Sequence, residues 1–140
     1  MNRRVIVDTG PLVALLGGRD ARHQWAKERM AEIRPPLLTC EAVISETCFL
    51  LGRSGGNPAI VLQLLDIGLA SVAFDLSAQA RSIRLLMEKY ADVPMSFADS
   101  CLVRMTELLD DSPILTLDKD FKTYRKHRNR EIPVIAPGEY

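Results

Sequence analysis

Short apolar runs alternate with longer amphipathic stretches along the whole chain. The short runs are rich in β-branched residues or leucine and end at Gly, Pro or polar residues, which predicts strands. They are residues 5–7, 37–39, 71–74, 113–117 and 134–135. The longer stretches repeat apolar residues at helical spacing. They are residues 11–16, 20–32, 40–52, 59–67, 77–90 and 96–109. This alternation predicts an α/β fold, a three-layer α/β/α sandwich with a mostly parallel central sheet, in a single domain over residues 1–140.

The helix predicted at residues 96–109 has an apolar face that we expect to point into the core. Polar residues occupy most of the remaining positions, and an aspartate, Asp99, lies near the start of the helix. The residues expected to face inward are Phe97, Cys101, Leu102, Met105 and Leu108.

Acidic residues occur at positions where an α/β fold builds ligand sites. Asp8 and Asp118 each end a predicted strand, and ligands of such folds bind beyond the carboxyl ends of the strands. Glu46 adjoins the apolar stripe of the helix at 40–52, and Asp99 is surrounded by apolar residues. We expect these four carboxylates to be at least partly buried, where an unpaired charge is unfavourable.

Clustered carboxylates repel one another unless a cation neutralises them. Magnesium and similar hard divalent ions prefer oxygen ligands and also bind substrate phosphate. Two such ions roughly 4 Å apart stabilise both the attacking and the leaving oxygen in phosphodiester hydrolysis. The four acids together therefore favour a metal-dependent phosphoryl-transfer site.

Each acid also has a purely structural interpretation, and these alternatives stay open at the level of the sequence. Ser96 and Asp99 match a capping box at the start of a helix. Asp118 and Asp8 precede helical segments that they are able to cap. Glu46 is the hardest to explain in this way, because a buried glutamate is rare without a partner.

The formal net charge is zero, with 18 basic and 18 acidic residues. No global positive field is therefore available to attract a nucleic acid, and any such binding requires a local patch. The segment 119–130 is rich in basic residues and follows Asp118. We predict that Lys122, Arg125 and Lys126 contact RNA phosphates there, and the alternative is an ordinary solvated surface.

Three cysteines, Cys40, Cys48 and Cys101, lie in apolar stretches, and no C-x-x-C pair is present. An odd number of unpaired-looking thiols is typical of a reduced, cytoplasmic protein. His23 and His127 are not spaced to complete a zinc site. No apolar stretch reaches the roughly 18–20 residues of a membrane span, so we expect no contact with a membrane.

Four segments in order resemble the PIN domain, and more narrowly the VapC toxins of bacterial toxin–antitoxin pairs. The first is Val-Ile-Val-Asp-Thr at 5–9, and the second is the stretch 39–46 that ends in glutamate. The third is Met-Ser-Phe-Ala-Asp-Ser at 95–100, and the fourth is Leu-Thr-Leu-Asp-Lys-Asp-Phe at 115–121. Each motif is weak alone, but their order and spacing cover essentially the whole chain.

The resemblance implies an endoribonuclease that uses Mg²⁺ or Mn²⁺ and a water nucleophile. It implies catalytic and metal-binding roles for Asp8, Glu46, Asp99 and Asp118, with Asp120 as an outer metal ligand. Thr9 and Thr116 would orient these carboxylates or contact phosphate. A VapB-like antitoxin as a partner and a homodimer are expected from the resemblance only.

Other functions compete with this interpretation. A PIN-type nuclease in RNA processing without a toxin role would have the same acids, and a non-catalytic PIN-like scaffold would be expected to lack some of them. A haloacid-dehalogenase-type phosphatase would require a second aspartate at position 10, where this chain has Gly10. A receiver-type signalling domain lacks a helix glutamate such as Glu46.

Overall fold

A computed structural model describes residues 4–138, and the predicted domain limits at residues 1–3 and 139–140 lie outside the described residues. The strands are β1 (Ile6–Val7), β2 (Leu37–Thr39), β3 (Ala70–Val72), β4 (Ile114–Leu115), β5 (Arg125–Lys126), β6 (Arg130–Glu131) and β7 (Val134–Ile135). The helices are α1 (Thr9–Leu16), α2 (His23–Glu32), α3 (Glu41–Arg53), α4 (Ala59–Asp66), α5 (Leu76–Lys89) and α6 (Phe97–Leu108), with a 3₁₀ helix at Lys119–Lys122.

Five strands form a parallel sheet in the order β3-β2-β1-β4-β7. The chain moves outward from β1 to β2 and β3, and then returns to β4 on the other side of β1. Crossovers between parallel strands are right-handed, so this reversal places α1–α4 on one face and α5 and α6 on the other. The predicted three-layer fold with a parallel sheet is confirmed.

The two central strands, β1 and β4, are completely enclosed. Ile6 pairs with Ile114 and Val7 pairs with Leu115, and all four side chains have no solvent exposure. A parallel sheet covered by helices on both faces requires such continuous apolar strands, in place of an apolar–polar alternation. The three cysteines are free, as predicted, with Cys40 and Cys101 in the core. Within residues 4–138, no helix combines the length and apolar character that crossing a membrane requires.

The largest difference from the predicted elements is an antiparallel hairpin of β5 and β6 after the 3₁₀ helix. His127 and Arg128 form its turn with positive φ angles of 47° and 76°. The strands of this hairpin consist of charged residues, so neither the apolar pattern nor a glycine turn indicated them. α2 also begins at His23, three residues later than predicted, after a turn in which Asp20 Oδ1 accepts a hydrogen bond from Arg22 N.

The predicted inward face of α6 is correct for Cys101, Leu102 and Met105, which are buried, and wrong for Phe97 and Leu108. Phe97 is 43% exposed and Leu108 is 45% exposed. At 3.6 residues per turn these two side chains lie roughly 120–140° around the helix axis from the buried Leu102. Apolar character alone did not show which side of the helix meets the sheet.

The orientation of α6 predicts different losses of stability for two leucines of the same helix. Leu102→Ala should lower the free energy of unfolding by about 2–5 kcal/mol, because it leaves a cavity in a fully buried site. Leu108→Ala is the matched control and should lower it by less than about 1 kcal/mol. Urea unfolding of both variants measures the difference, and equal losses would contradict the orientation described.

Candidate active site

A threonine hydroxyl joins the ends of the two central strands. Thr116 Oγ1 donates to Asp8 Oδ2 at 2.7 Å and accepts from the backbone N–H of Asp118 at 2.9 Å. The other oxygen of Asp8, Oδ1, accepts from Thr9 N at 2.7 Å. Both carboxylate oxygens of Asp8 are therefore held in fixed directions at the start of α1, where Asp8 is the N-cap residue.

The carboxylate of Asp99 is held from a different part of the chain. The backbone N–H of Asp99 donates to the hydroxyl of Ser96, the N-cap residue, at 3.0 Å, which places Asp99 in the first turn of α6. Tyr124 OH donates to Asp99 Oδ2 at 2.8 Å, and the Tyr124 ring is fully buried against Phe121 and Tyr90. Asp99 is itself only 8% exposed.

Three carboxylates come close together, those of Asp99, Asp118 and Asp120. One oxygen of each lies within 4.8 Å of the others. Asp118 Oδ1 also accepts from Asp120 N at 2.9 Å, which fixes the turn that carries both residues. The structure thus places Asp120 inside the closest group of acids, whereas the resemblance assigned it an outer position.

The three carboxylates line a cavity of about 540 Å³ together with other acids. No lysine or arginine occurs among the described residues that line this acidic cavity. The acids that line it are Asp8, Asp20, Glu46, Asp99, Asp118 and Asp120. The cavity therefore concentrates negative charge at the carboxyl ends of β1 and β4, where the strand order of the sheet reverses.

Glu46 lines this cavity but does not have the expected burial. We expected a buried side chain, and the residue is exposed, on the part of α3 that borders the opening. It also lies outside the group whose oxygens are within 4.8 Å of one another. Asp20 was missed by the sequence analysis, because it lies in a turn between α1 and α2 with no apolar run or strand end to indicate a site.

Burial raises the pKa of two of these acids. The pKa of Asp8 is about 7, mainly because the carboxyl group is desolvated, and the charges of Asp99 and Asp118 raise it further. The hydrogen bonds from Thr116 and Thr9 oppose this rise. Desolvation likewise raises the pKa of Asp99 to about 6, against the hydrogen bond from Tyr124. Without a cation, the site therefore holds protons more tightly than exposed aspartates do.

The donor set fits a hard divalent cation. All the candidate ligands are carboxylate oxygens, as Mg²⁺ and Mn²⁺ prefer, and one oxygen each of Asp99, Asp118 and Asp120 lies within 4.8 Å of the other two. The hydroxyl of Thr9 gives a second indication, since Thr9 Oγ1 is buried and has no hydrogen-bond partner among the described residues. A buried hydroxyl without a partner is unfavourable, and such groups are expected at functional positions.

The capping interpretations of the acids are also correct. Asp8 caps α1, Asp118 Oδ1 caps the 3₁₀ helix, and Ser96 caps α6 through the N–H of Asp99. Capping explains where each aspartate lies along the chain. It does not explain why carboxylates from α6 and from the loop after β4 approach one another across the cavity.

The structure does not support the predicted RNA contact of Lys126. Its side chain is only 8% exposed and its Nζ donates to the carbonyl of Thr106 at 3.2 Å. The guanidinium of Arg125 donates to the carbonyls of residues 122, 123 and 124, which leaves it little freedom to reach a substrate. Lys122 is exposed, on the 3₁₀ helix that carries Asp120.

Tyr124 is, after Asp20, a second functional candidate that the sequence did not indicate. It lies inside the basic segment 119–130, and its only signal in the sequence is an aromatic residue among basic residues. The contact with Asp99 depends on the packing of this segment against α6, which no local pattern encodes.

Comparisons with known proteins agree with this geometry. The model of the PIN domain matches residues 5–127. The fold is similar to that of VapC20 from Mycobacterium tuberculosis, described as a toxin that cleaves the sarcin-ricin loop. The two share 23% sequence identity with a TM-score of 0.77 over 90% of this chain and 98% of the other, which shows a common fold. No curated protein matches the sequence.

The raised pKa of Asp8 predicts how stability depends on pH when divalent cations are removed by a chelator. Because the folded pKa of about 7 exceeds the unfolded value, the stabilisation from the protonated carboxyl is complete below about pH 4 and is lost as the pH rises through about 7. Asp8→Asn should therefore melt several degrees above the wild type at pH 8, with no such difference at pH 4. Asp66→Asn, on the exposed end of α4, is the control and should match the wild type at both values. A higher melting temperature for the wild type than for Asp8→Asn at pH 8 would contradict the described burial of Asp8.

The hydrogen bond from Tyr124 predicts the titration of Asp99. Tyr124→Phe should raise the pKa of Asp99 from about 6 by roughly one pH unit or more, since a hydrogen bond to a charged group is worth about 1.5–3 kcal/mol. NMR titration of the Asp99 carboxyl carbon measures this value. Tyr90→Phe is the control. It removes a hydroxyl from the same aromatic cluster, but that hydroxyl accepts from Arg125 N and does not contact Asp99, so the pKa of Asp99 should stay unchanged.

Proposed function

Because the chain belongs to the PIN domain family, we propose that it is an endoribonuclease that hydrolyses phosphodiester bonds in RNA with Mg²⁺ or Mn²⁺. The observation that carries the proposal is the convergence of Asp99, Asp118 and Asp120 within 4.8 Å in a cavity without lysine or arginine among its described lining residues. Carboxylates this close repel one another, a bound divalent cation would relieve that repulsion, and phosphodiester hydrolysis is the common chemistry of such metal sites.

The residues divide into those that would hold the metal and those that orient them. Asp99, Asp118 and Asp120 are the proposed ligands, and Asp8 and Glu46 complete the acidic wall that faces them. A divalent cation bound there supplies the positive charge that attack on a phosphodiester requires.

Fixed hydrogen bonds determine where the acidic oxygens point. Thr116 holds Oδ2 of Asp8, and Tyr124 holds Oδ2 of Asp99. Thr9 Oγ1 is a buried donor without a hydrogen-bond partner among the described residues, and Thr9 N bonds Asp8 Oδ1, so we assign Thr9 to orienting the Asp8 carboxylate. These groups keep the site organised before substrate arrives, which reduces the reorganisation needed in the transition state.

We also propose a biological setting, the toxin of a toxin–antitoxin pair in the cytoplasm, with a VapB-like antitoxin and a homodimeric assembly. The support is the fold shared with the toxin VapC20, together with free cysteines in the core. An RNA-processing nuclease of the same family without a toxin role is the second candidate. A haloacid-dehalogenase-type phosphatase is disfavoured, because it would need a second aspartate at position 10, where this chain has Gly10.

Manganese binding and RNA cleavage test the proposal together. Mn²⁺ at about 100 times its dissociation constant should stabilise the wild type by roughly 2.7 kcal/mol and raise the melting midpoint by several degrees. Asp118→Asn should lose this rise, because it removes a central carboxylate of the close group. The wild type should cleave a pool of structured and single-stranded RNAs only with Mg²⁺ or Mn²⁺, and Asp99→Asn should lose at least about 10–100-fold in rate, the usual loss when the groups around a metal are disturbed.

Asp66→Asn serves as the control in both assays and should behave as the wild type does. Cleavage that persists in chelator, or that survives Asp99→Asn, would refute the metal mechanism. A manganese-induced rise without any RNA cleavage would instead favour a PIN-like scaffold that binds metal without acting as a nuclease.

A further inference from the structure

A second cavity of about 900 Å³ adjoins the acidic cavity. It lies between the end of α1 and the end of α3, and it shares Val13, Asp20 and Leu50 with the acidic cavity. The two therefore form one continuous depression on the surface. The volume of this adjoining cavity is at the upper end of the roughly 300–1,000 Å³ that is usual for ligand sites.

The adjoining cavity contains the positive charge that the acidic cavity lacks. Arg19, from the turn after α1, and Arg53, at the end of α3, both line it. Neither guanidinium forms an ion pair with any residue between 4 and 138. One carboxylate, Asp20, faces the same space, and its Oδ1 accepts the N–H of Arg22.

An exposed aromatic ring accompanies Arg53. The guanidinium carbon lies 5.5 Å from the centre of the Phe49 ring, and Phe49 is 63% exposed. Arginine beside an exposed aromatic ring is the usual combination for single-stranded nucleic acid, because the guanidinium contacts phosphate while the ring stacks on a base.

If RNA is the substrate, the charge distribution favours such a contact. Six carboxylates around the reaction site repel a polyanion, and the net charge of zero provides no general attraction. The basic segment 119–130 offers less than its composition suggests, because Lys126 is buried and Arg125 is bonded to carbonyl groups. Arg19 and Arg53 are cations that open onto the same depression as the acids.

We propose that the adjoining cavity binds the phosphates of single-stranded RNA next to the cleaved bond, through Arg19 and Arg53, with Phe49 stacking on a base. This inference rests on the proposed nuclease function. It assigns the direction in which the substrate strand leaves the acidic cavity, along the space between α1 and α3.

The salt dependence of RNA binding tests the two arginines. A fluorescent single-stranded RNA is titrated with wild-type protein, Arg19→Gln and Arg53→Gln in Ca²⁺ in place of Mg²⁺, to slow cleavage, at several salt concentrations. Each variant should reduce the slope of log K against log salt by about 0.7, the value for one phosphate contact on a single strand, and weaken binding roughly four-fold near 0.15 M salt. Arg53→Lys keeps the charge and should restore the slope.

Arg81→Gln, on the exposed surface of α5 outside both cavities, is the matched control and should bind as the wild type does. Phe49→Leu should weaken binding without changing the slope, because it removes stacking and not charge. If the wild type cleaves RNA but both arginine variants keep the wild-type slope, this inference is wrong and the proposed nuclease function stands. The adjoining cavity would then be a candidate site for a protein partner. A wild type that neither binds nor cleaves RNA would overturn the proposed function as well.

Discussion

The parallel pairing of β1 with β4 is the constraint on which the rest of the structure depends. These strands are neighbours because the chain reverses direction across the sheet between them, and their four paired side chains are completely buried. Their carboxyl ends consequently lie side by side, and the residues that follow them, Asp8 and Asp118, cannot move apart without disrupting the core. Thr116 then links the two by hydrogen bonds to both. The position of the acidic cavity is thus a consequence of sheet topology.

Buried carboxylates in the acidic cavity lower the stability of the fold, and hydrogen bonds in the structure limit this loss. Burial raises the pKa of Asp8 and of Asp99, so the protein holds these groups in an environment that disfavours their charge. Hydrogen bonds replace part of the lost hydration. The backbone N–H of Thr9 and the hydroxyl of Thr116 donate to Asp8, and the hydroxyl of Tyr124 donates to Asp99. Conflict between local stability and an organised polar site is typical of functional positions.

Charge is divided along a single depression of the surface. The acidic cavity has no lysine or arginine among its described lining residues, whereas the adjoining cavity contains Arg19 and Arg53 without ion-pair partners among residues 4–138. A neutral protein can thereby present one region suited to cations and another suited to phosphates. The net charge of the chain conceals this division, because it averages over both regions.

The sequence by itself determined the alternation of strands and helices, the parallel sheet and the positions of Asp8, Asp99 and Asp118, because strand ends, caps and apolar runs are local features. Tertiary structure alone decided which groups meet. The bond from Tyr124 to Asp99, the approach of Asp20, the exposure of Glu46 and the burial of Lys126 all depend on how distant segments pack. The side of α6 that faces the sheet was likewise undetermined, since Phe97 and Leu102 are equally apolar in sequence but differ in burial. Local patterns specify elements through periodicity and backbone preference, while contacts between elements depend on their relative placement in the folded chain.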